Sequence, residues 1–267
     1  MAHEAPYTSQ IWRGIEWLHA GVGDTASMKP PKAVLFDLFH TLVCVPPPLL
    51  TGERSVPEIL GVSPDEWQRL YYDEDVFGRC LGHVRDSVEA MRLVTHSIDP
   101  SVGEDRIITA VESRRRRFEI GLVAVEDSML AALDALRAAG IRTAIVSDAG
   151  ADDVESWPRS PVGSRVDLTI FSYQVGYRKP DPRIYLHALG ALGVEPSEAI
   201  FVGDGGSDEH NGARAVGMQT VLVTRLFSQW WPDKMEPRRG LADFEFEDVA
   251  AFVAALGLTH GRHASFA

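Results

Sequence analysis

Short continuous apolar runs alternate with stretches of helical periodicity through the second half of the chain. The first such run comes earlier: Ala33-Val34-Leu35-Phe36 is β-leaning, stops at Asp37, and is followed by Thr41. A buried strand that stops at a carboxylate places it at the strand's C-terminal end, the edge where open α/β sheets bind ligands. From residue 126 the pattern predicts a helix capped by Asp127 or Ser128, with Met129, Leu133 and Leu136 inward and Gly140 as its stop. Strands are predicted over 141–147, 166–171, 199–203 and 219–224. Between them lie helices from Asp181-Pro182 to Gly193 and over 212–216, and a last helix falls near 247–256. Strand–helix alternation at this spacing predicts an α/β fold with a parallel sheet, right-handed crossovers and helices on both faces, a three-layer Rossmann-like core.

Residues 46–125 differ in character. Pro46-Pro47-Pro48 ends regular structure and reads as a hinge. Ser63-Pro64-Asp65-Glu66 is a capping box with proline at the first helical position. Val84, Val88, Met91 and Thr95 recur at helical spacing, and Ser101-Val102-Gly103-Glu104 leads into Ile107, Val111 and Phe118. The segment reads as an all-α module inserted after the first strand. Arg114 to Arg117 lie on its last helix and read as a solvated, partly paired surface; the alternative is that one or two reach an anionic substrate. Residues 1–28 read as an N-terminal extension with a short amphipathic helix around Ile11 to Leu18.

Composition narrows the function classes. Of 267 residues, 45% are hydrophobic and 24% charged, an ordinary globular balance. A net charge of −12 disfavours nucleic acid or an anionic membrane as the main partner. Cys44 and Cys80 have neither CxxC spacing nor histidine partners, which reads as two thiols in a reducing compartment. Glu4, Arg13 and Glu16 argue against a secretory signal, and no long apolar run is present to span a membrane, so the expected location is the cytoplasm.

In a parallel sheet all strand C-termini share one edge, so Asp37, Ser147, Asp204 and the loop residue Lys179 can converge. With their flanking residues these four resemble the motifs of the haloacid dehalogenase (HAD) superfamily of hydrolases: Asp37-Leu38-Phe39-His40-Thr41, Ile145-Val146-Ser147-Asp148, Arg178-Lys179-Pro180-Asp181-Pro182, and Val202-Gly203-Asp204-Gly205-Gly206-Ser207-Asp208-Glu209 with Gly212-Ala213. The resemblance implies a core over 29–45 and 126–267 and a helical cap over 46–125 that closes over a small, anionic substrate. It also implies Asp37 as nucleophile, Ser147 as a ligand of the transferring group and Lys179 as the essential cation. Mg²⁺ is the implied cofactor, held by Asp37, the backbone carbonyl of Phe39, Asp204 and Glu209, with Asp208 in reserve.

One position departs from that pattern. Phosphatases of the superfamily carry a second aspartate two residues after the nucleophile, as general acid–base, and here Phe39 stands there. Three expectations follow. The first is an Mg²⁺-dependent phosphatase-type hydrolase working through an aspartyl-enzyme intermediate, with His40 or a cap residue such as His83 as substitute acid. The second is a 2-haloacid dehalogenase-like hydrolase, a class with an aromatic residue at this position, no metal, and a halide leaving group that needs no proton. The third is a catalytically weak ligand-binding protein. Phosphonate-cleaving relatives use a cap lysine, and residues 46–125 contain none.

Overall fold

The computed structural model describes residues 28–72 and 78–258. The extension expected before Met28 lies outside the described residues. Six strands form one parallel sheet in the order β3-β2-β1-β4-β5-β6, with β1 Ala33–Phe36, β2 Arg142–Ser147, β3 Leu168–Phe171, β4 Ala199–Gly203, β5 Gln219–Val223 and β6 Phe244–Phe246. β1 is central and buried along its whole length, which is why it reads as an unbroken apolar run rather than an alternating one. β6 was not expected: three residues carry too little pattern, and pairing with β5 is what makes them a strand.

Among the described residues between β1 and the next core helix run five helices: α1 Pro48–Thr51, α2 Val56–Leu60, α3 Pro64–Tyr71, α4 Ser87–Ile98 and α5 Glu104–Val123. The remainder are α6 Asp127–Ala138, α7 Ser172–Val175, α8 Pro182–Leu192, α9 Glu209–Ala215, α10 Arg225–Ser228, α11 Pro232–Met235 and α12 Val249–Ala255. Alternate residues of β1 face opposite layers. Val34 and Phe36 pack with Met129 and Leu133 of α6 and Phe252 of α12, whereas Ala33 and Leu35 pack with Ile184 and Leu189 of α8 and Ala213 of α9. The three-layer α/β core is therefore as the alternation predicts. Helices α2 to α5 gather a separate apolar cluster around Leu60, Trp67, Met91 and Ile107.

Several helix ends differ from expectation. Pro47 and Pro48 do not end structure but start α1, because proline fits the first helical turn. Within Ser101-Val102-Gly103-Glu104 the N-cap of α5 is Gly103, and the Ser101 hydroxyl donates to Asp99. Glu126 rather than Asp127 or Ser128 precedes α6 and is held by Arg225, a partner 99 residues away that no local pattern reveals. Ser63 does cap α3, its hydroxyl accepting from the Glu66 N–H at 3.4 Å.

Candidate active site

Parallel pairing carries the site. Phe36 of β1 is level with Val202 of β4, so Asp37 and Asp204 emerge side by side at the C-terminal edge. The Asp37 N–H donates to the Val202 carbonyl at 2.9 Å, and Thr41 donates its hydroxyl to Asp37 Oδ2 at 3.1 Å. The chain between them turns sharply, with His40 at a φ of 63°, a left-handed conformation that is uncommon for a residue with a side chain.

Lys179 enters from the loop before α8. Its Nζ donates to Asp37 Oδ1 at 2.5 Å and to Glu209 Oε2 at 2.6 Å, and its backbone N–H donates to Asp148 Oδ1 at 2.9 Å. Glu209 opens α9, and its other oxygen accepts from the Gly205 N–H at 2.8 Å. Two glycines make room for this arrangement. A Cβ on Gly203 would stand 2.1 Å from Glu209 Oε1, and one on Gly212 would stand 2.6 Å from the Pro180 carbonyl oxygen. The carboxylates of Asp37, Asp204 and Glu209 offer oxygens that all lie within 4.8 Å of one another, and all three residues are buried.

Burial pushes the Asp37 carboxyl above its usual range; Lys179 opposes the rise and Asp204 adds to it. Glu209 is pushed up to about 8, again by burial first, with Lys179 opposing and Asp37 adding. Burial alone would lower Lys179, but Asp37 and Glu209 outweigh it and keep the ammonium protonated. Three crowded oxygen donors, two of them reluctant to ionise together, are a donor set that suits a hard divalent cation. Lys179 and the Arg238 guanidinium supply the positive charge the chain itself brings to them. The Arg238 group donates to Asp204 Oδ2 at 2.7 Å and to the Asp204 carbonyl at 3.0 Å while lying 3.8 Å from the Phe227 ring centre.

A cavity of about 570 Å³ opens over these groups, walled by Asp37, Phe39, His40, Asp204 and Lys179 from the core and by Arg114, Arg117 and Phe118 from α5. The Phe39 ring meets Phe118 edge-on at 5.3 Å. Ser147 ends β2 fully buried, its hydroxyl without a hydrogen-bond partner among the described residues; Asp148, one residue on, reaches the cavity wall. Asp208 is not with the other acids: it is exposed and accepts from the Asn211 side chain at 2.6 Å, because a left-handed turn at Ser207 and Asp208 aims Glu209 inward instead. His83 is exposed and does not line the cavity.

The reading of Arg114–Arg117 as solvated surface is corrected in part. Arg115 and Arg116 are exposed and pair with Glu155 and Glu53. Arg114 is buried: it pairs with Asp153, bonds the Tyr71 hydroxyl at 2.9 Å and lies 4.1 Å over the Phe118 ring. Asp153 also takes Arg79 at 2.5 Å and the Gly150 N–H at 2.8 Å. Arg79, Arg238 and Trp231 of the cavity wall were missed; each lies outside the strand-end motifs, so only the contacts disclose it.

Comparison with known proteins agrees with the geometry. The family model for haloacid dehalogenase-like hydrolases matches residues 31–217, and the chain belongs to that family. (S)-2-haloacid dehalogenase 1 of Pseudomonas sp. strain CBS-3 is 26% identical over 202 residues, covering 74% of this chain and 87% of that protein. Phosphoglycolate phosphatase of Rhodospirillum rubrum is 27% identical over 244 residues, 85% of this chain and 91% of the relative. Two further phosphatases are matched over 33% and 23% of their own lengths. The crystal structure of a 2-haloacid dehalogenase from Pseudomonas syringae pv. Tomato DC3000 superposes with a TM-score of 0.59 at 21% identity, over 85% of this chain and 98% of the other, a likeness of fold. No helix among the described residues is long and apolar enough to cross a membrane.

Proposed function

We propose that this hydrolase cleaves small phosphorylated molecules with the help of a divalent cation, Mg²⁺ being the natural choice, through a phospho-aspartyl intermediate on Asp37. The observation that carries the reading is the meeting of three buried carboxylates within 4.8 Å, more acid than a nucleophile with one lysine requires. Asp37, Asp204, Glu209 and the Phe39 carbonyl would hold the metal, which when bound would offset the negative charge of the phosphoryl group.

Asp37 attacks phosphorus with one carboxylate oxygen; the bond to the ester oxygen breaks, and the leaving oxygen departs with that electron pair. Lys179 holds Asp37 in place and remains charged, so it also counters the developing negative charge. Ser147, buried behind the wall at the end of β2, has a hydroxyl with no partner among the described residues and in this reading would bond a phosphoryl oxygen. Water then attacks phosphorus, releases phosphate and restores the Asp37 carboxylate. Phe39 cannot protonate the leaving oxygen, so the site favours substrates whose leaving group departs as an anion. His40 borders the cavity as a substitute acid–base; burial holds its imidazole below the ordinary range, with Asp204 opposing and Arg238 adding to the fall. The helices between β1 and α6 act in this reading as the cap, which excludes water and selects substrate.

One observation favours a second reading. The aromatic Phe39, packed on Phe118, suits halide departure, and the haloacid dehalogenase relative spans most of both chains. Assay of the purified protein with an aryl phosphate and with 2-haloacids, each with Mg²⁺ and with EDTA, separates the two. Phosphate release abolished by EDTA is expected. Halide release indifferent to EDTA would replace the first reading by the second.

A further inference from the structure

Five arginines border the cavity: Arg79, Arg114, Arg117, Arg178 and Arg238. Three are neutralised within the protein, Arg79 and Arg114 by Asp153 and Arg238 by Asp204. Arg117 and Arg178 make no ion pair among the described residues. Arg117 differs from Arg178 in what surrounds it. Its Nε is buried without a partner, and its Nη1 donates to the Pro46 carbonyl at 3.3 Å. Burial pushes this guanidinium down, and Arg114, one helical turn away, pushes in the same direction. Glu53 acts on it only from beyond ion-pair distance, being held by Arg116. A guanidinium does not give up its proton near neutral pH, so among the described residues the wall carries a charge that no carboxylate pairs, with spare donors. Such a charge is relieved by an anion that accepts from it.

The position is also informative. Arg117 precedes Phe118 on α5, and Phe118 meets Phe39, two residues from Asp37. Reacting groups therefore line the core side of the cavity, the Arg117 guanidinium belongs to the helical side, and the Phe39–Phe118 pair provides apolar wall near both. We infer that Arg117 binds a second anionic group of the substrate while the reacting group lies at Asp37 and Lys179. The substrate class is then a small molecule with an anion at each end and a short uncharged spacer, a carboxylate being the match for a planar guanidinium fork. This inference rests on the reading of Asp37 as a phosphoryl site and narrows it to bifunctional substrates.

The test compares ligands that differ only at the far end: propylphosphonate and 3-phosphonopropionate, then ethylphosphonate and phosphonoacetate, titrated by calorimetry in Mg²⁺. The wild-type protein should bind the carboxylated member of at least one pair roughly tenfold tighter or better. The ratio should fall to about one in Arg117→Met, recover in part in Arg117→Lys, and persist in Arg178→Met. Equal affinity within both pairs for the wild type would overturn the inference and leave the phosphoryl reading standing. A preference that survives Arg117→Met, or that vanishes only in Arg178→Met, would overturn the assignment to Arg117. Binding of none of the four would overturn both this inference and the phosphoryl reading. If Arg117→Met fails to fold, Arg117→Lys carries the assignment: an unchanged ratio there together with a lost ratio in Arg178→Met would overturn it.

Discussion

Phe39→Asp puts a carboxyl group into the cavity wall two residues beyond the nucleophile. A positioned general acid contributes about 10²–10⁴ in rate, which is roughly 2.7–5.5 kcal/mol of barrier. Against this stands the lost packing. Phe39 is half-buried and meets Phe118 edge-on at 5.3 Å. Losing the aromatic pair costs about 0.5–1.5 kcal/mol, and half the burial of a phenyl ring adds roughly 1 kcal/mol. A total near 2 kcal/mol is small beside a typical folding stability of about 5–15 kcal/mol, so the variant should fold and its kinetics should be readable. Three nearby carboxylates would hold the new carboxyl protonated to a higher pH than usual, which suits an acid. The gain should depend on the leaving group: alkyl phosphates, whose oxygen leaves poorly without a proton, should speed up by at least about tenfold, and aryl phosphates by less. Steady-state phosphate release from one ester of each kind, with a thermal melt for folding, measures both. A folded variant whose alkyl-to-aryl rate ratio matches the wild type would refute the argument that the missing acid limits this site.

Metal binding can be read without turnover. Asp204→Asn should remove Mn²⁺ binding measured by electron paramagnetic resonance, whereas Arg238→Gln, which frees Asp204 Oδ2 from its 2.7 Å partner, should tighten it; equal affinity in Arg238→Gln would show that the guanidinium does not compete. Asp153→Ala strips the shared carboxylate from two buried arginines and should cost about 3–5 kcal/mol in urea unfolding, a loss under about 1 kcal/mol counting against the network. Burial alone would raise Asp152, but Arg114 and Arg79 hold its carboxyl below the ordinary aspartate value of 3.8. Its contribution to stability is therefore full above pH 3.8 and is lost as pH falls through the lower folded value, so acid unfolding should begin at higher pH in Asp152→Asn than in the wild type if other carboxylates then set the limit, and an unshifted acid transition would deny Asp152 that role.

Much of the core was legible in the chain itself. Strands buried on both faces need continuous apolar residues, and their ends at Asp37, Ser147 and Asp204 are visible because a polar group abruptly stops each run. Glu209 was legible only through the family resemblance, and Gly203 and Gly212 matter because a carboxylate and a carbonyl occupy the space a Cβ would take. Tertiary packing alone decided the rest. It turned Asp208 outward and Glu209 inward through two left-handed residues, made a strand of Phe244–Phe246 by lending it β5, and split one run of arginines into two solvated side chains, one neutralised by Asp153 and one left facing the cavity. Local pattern records which residues are apolar and how they repeat. It cannot record that a carboxylate 39 residues further along the chain will reach Arg114, because that distance exists only once the helical segment has folded back onto the sheet edge.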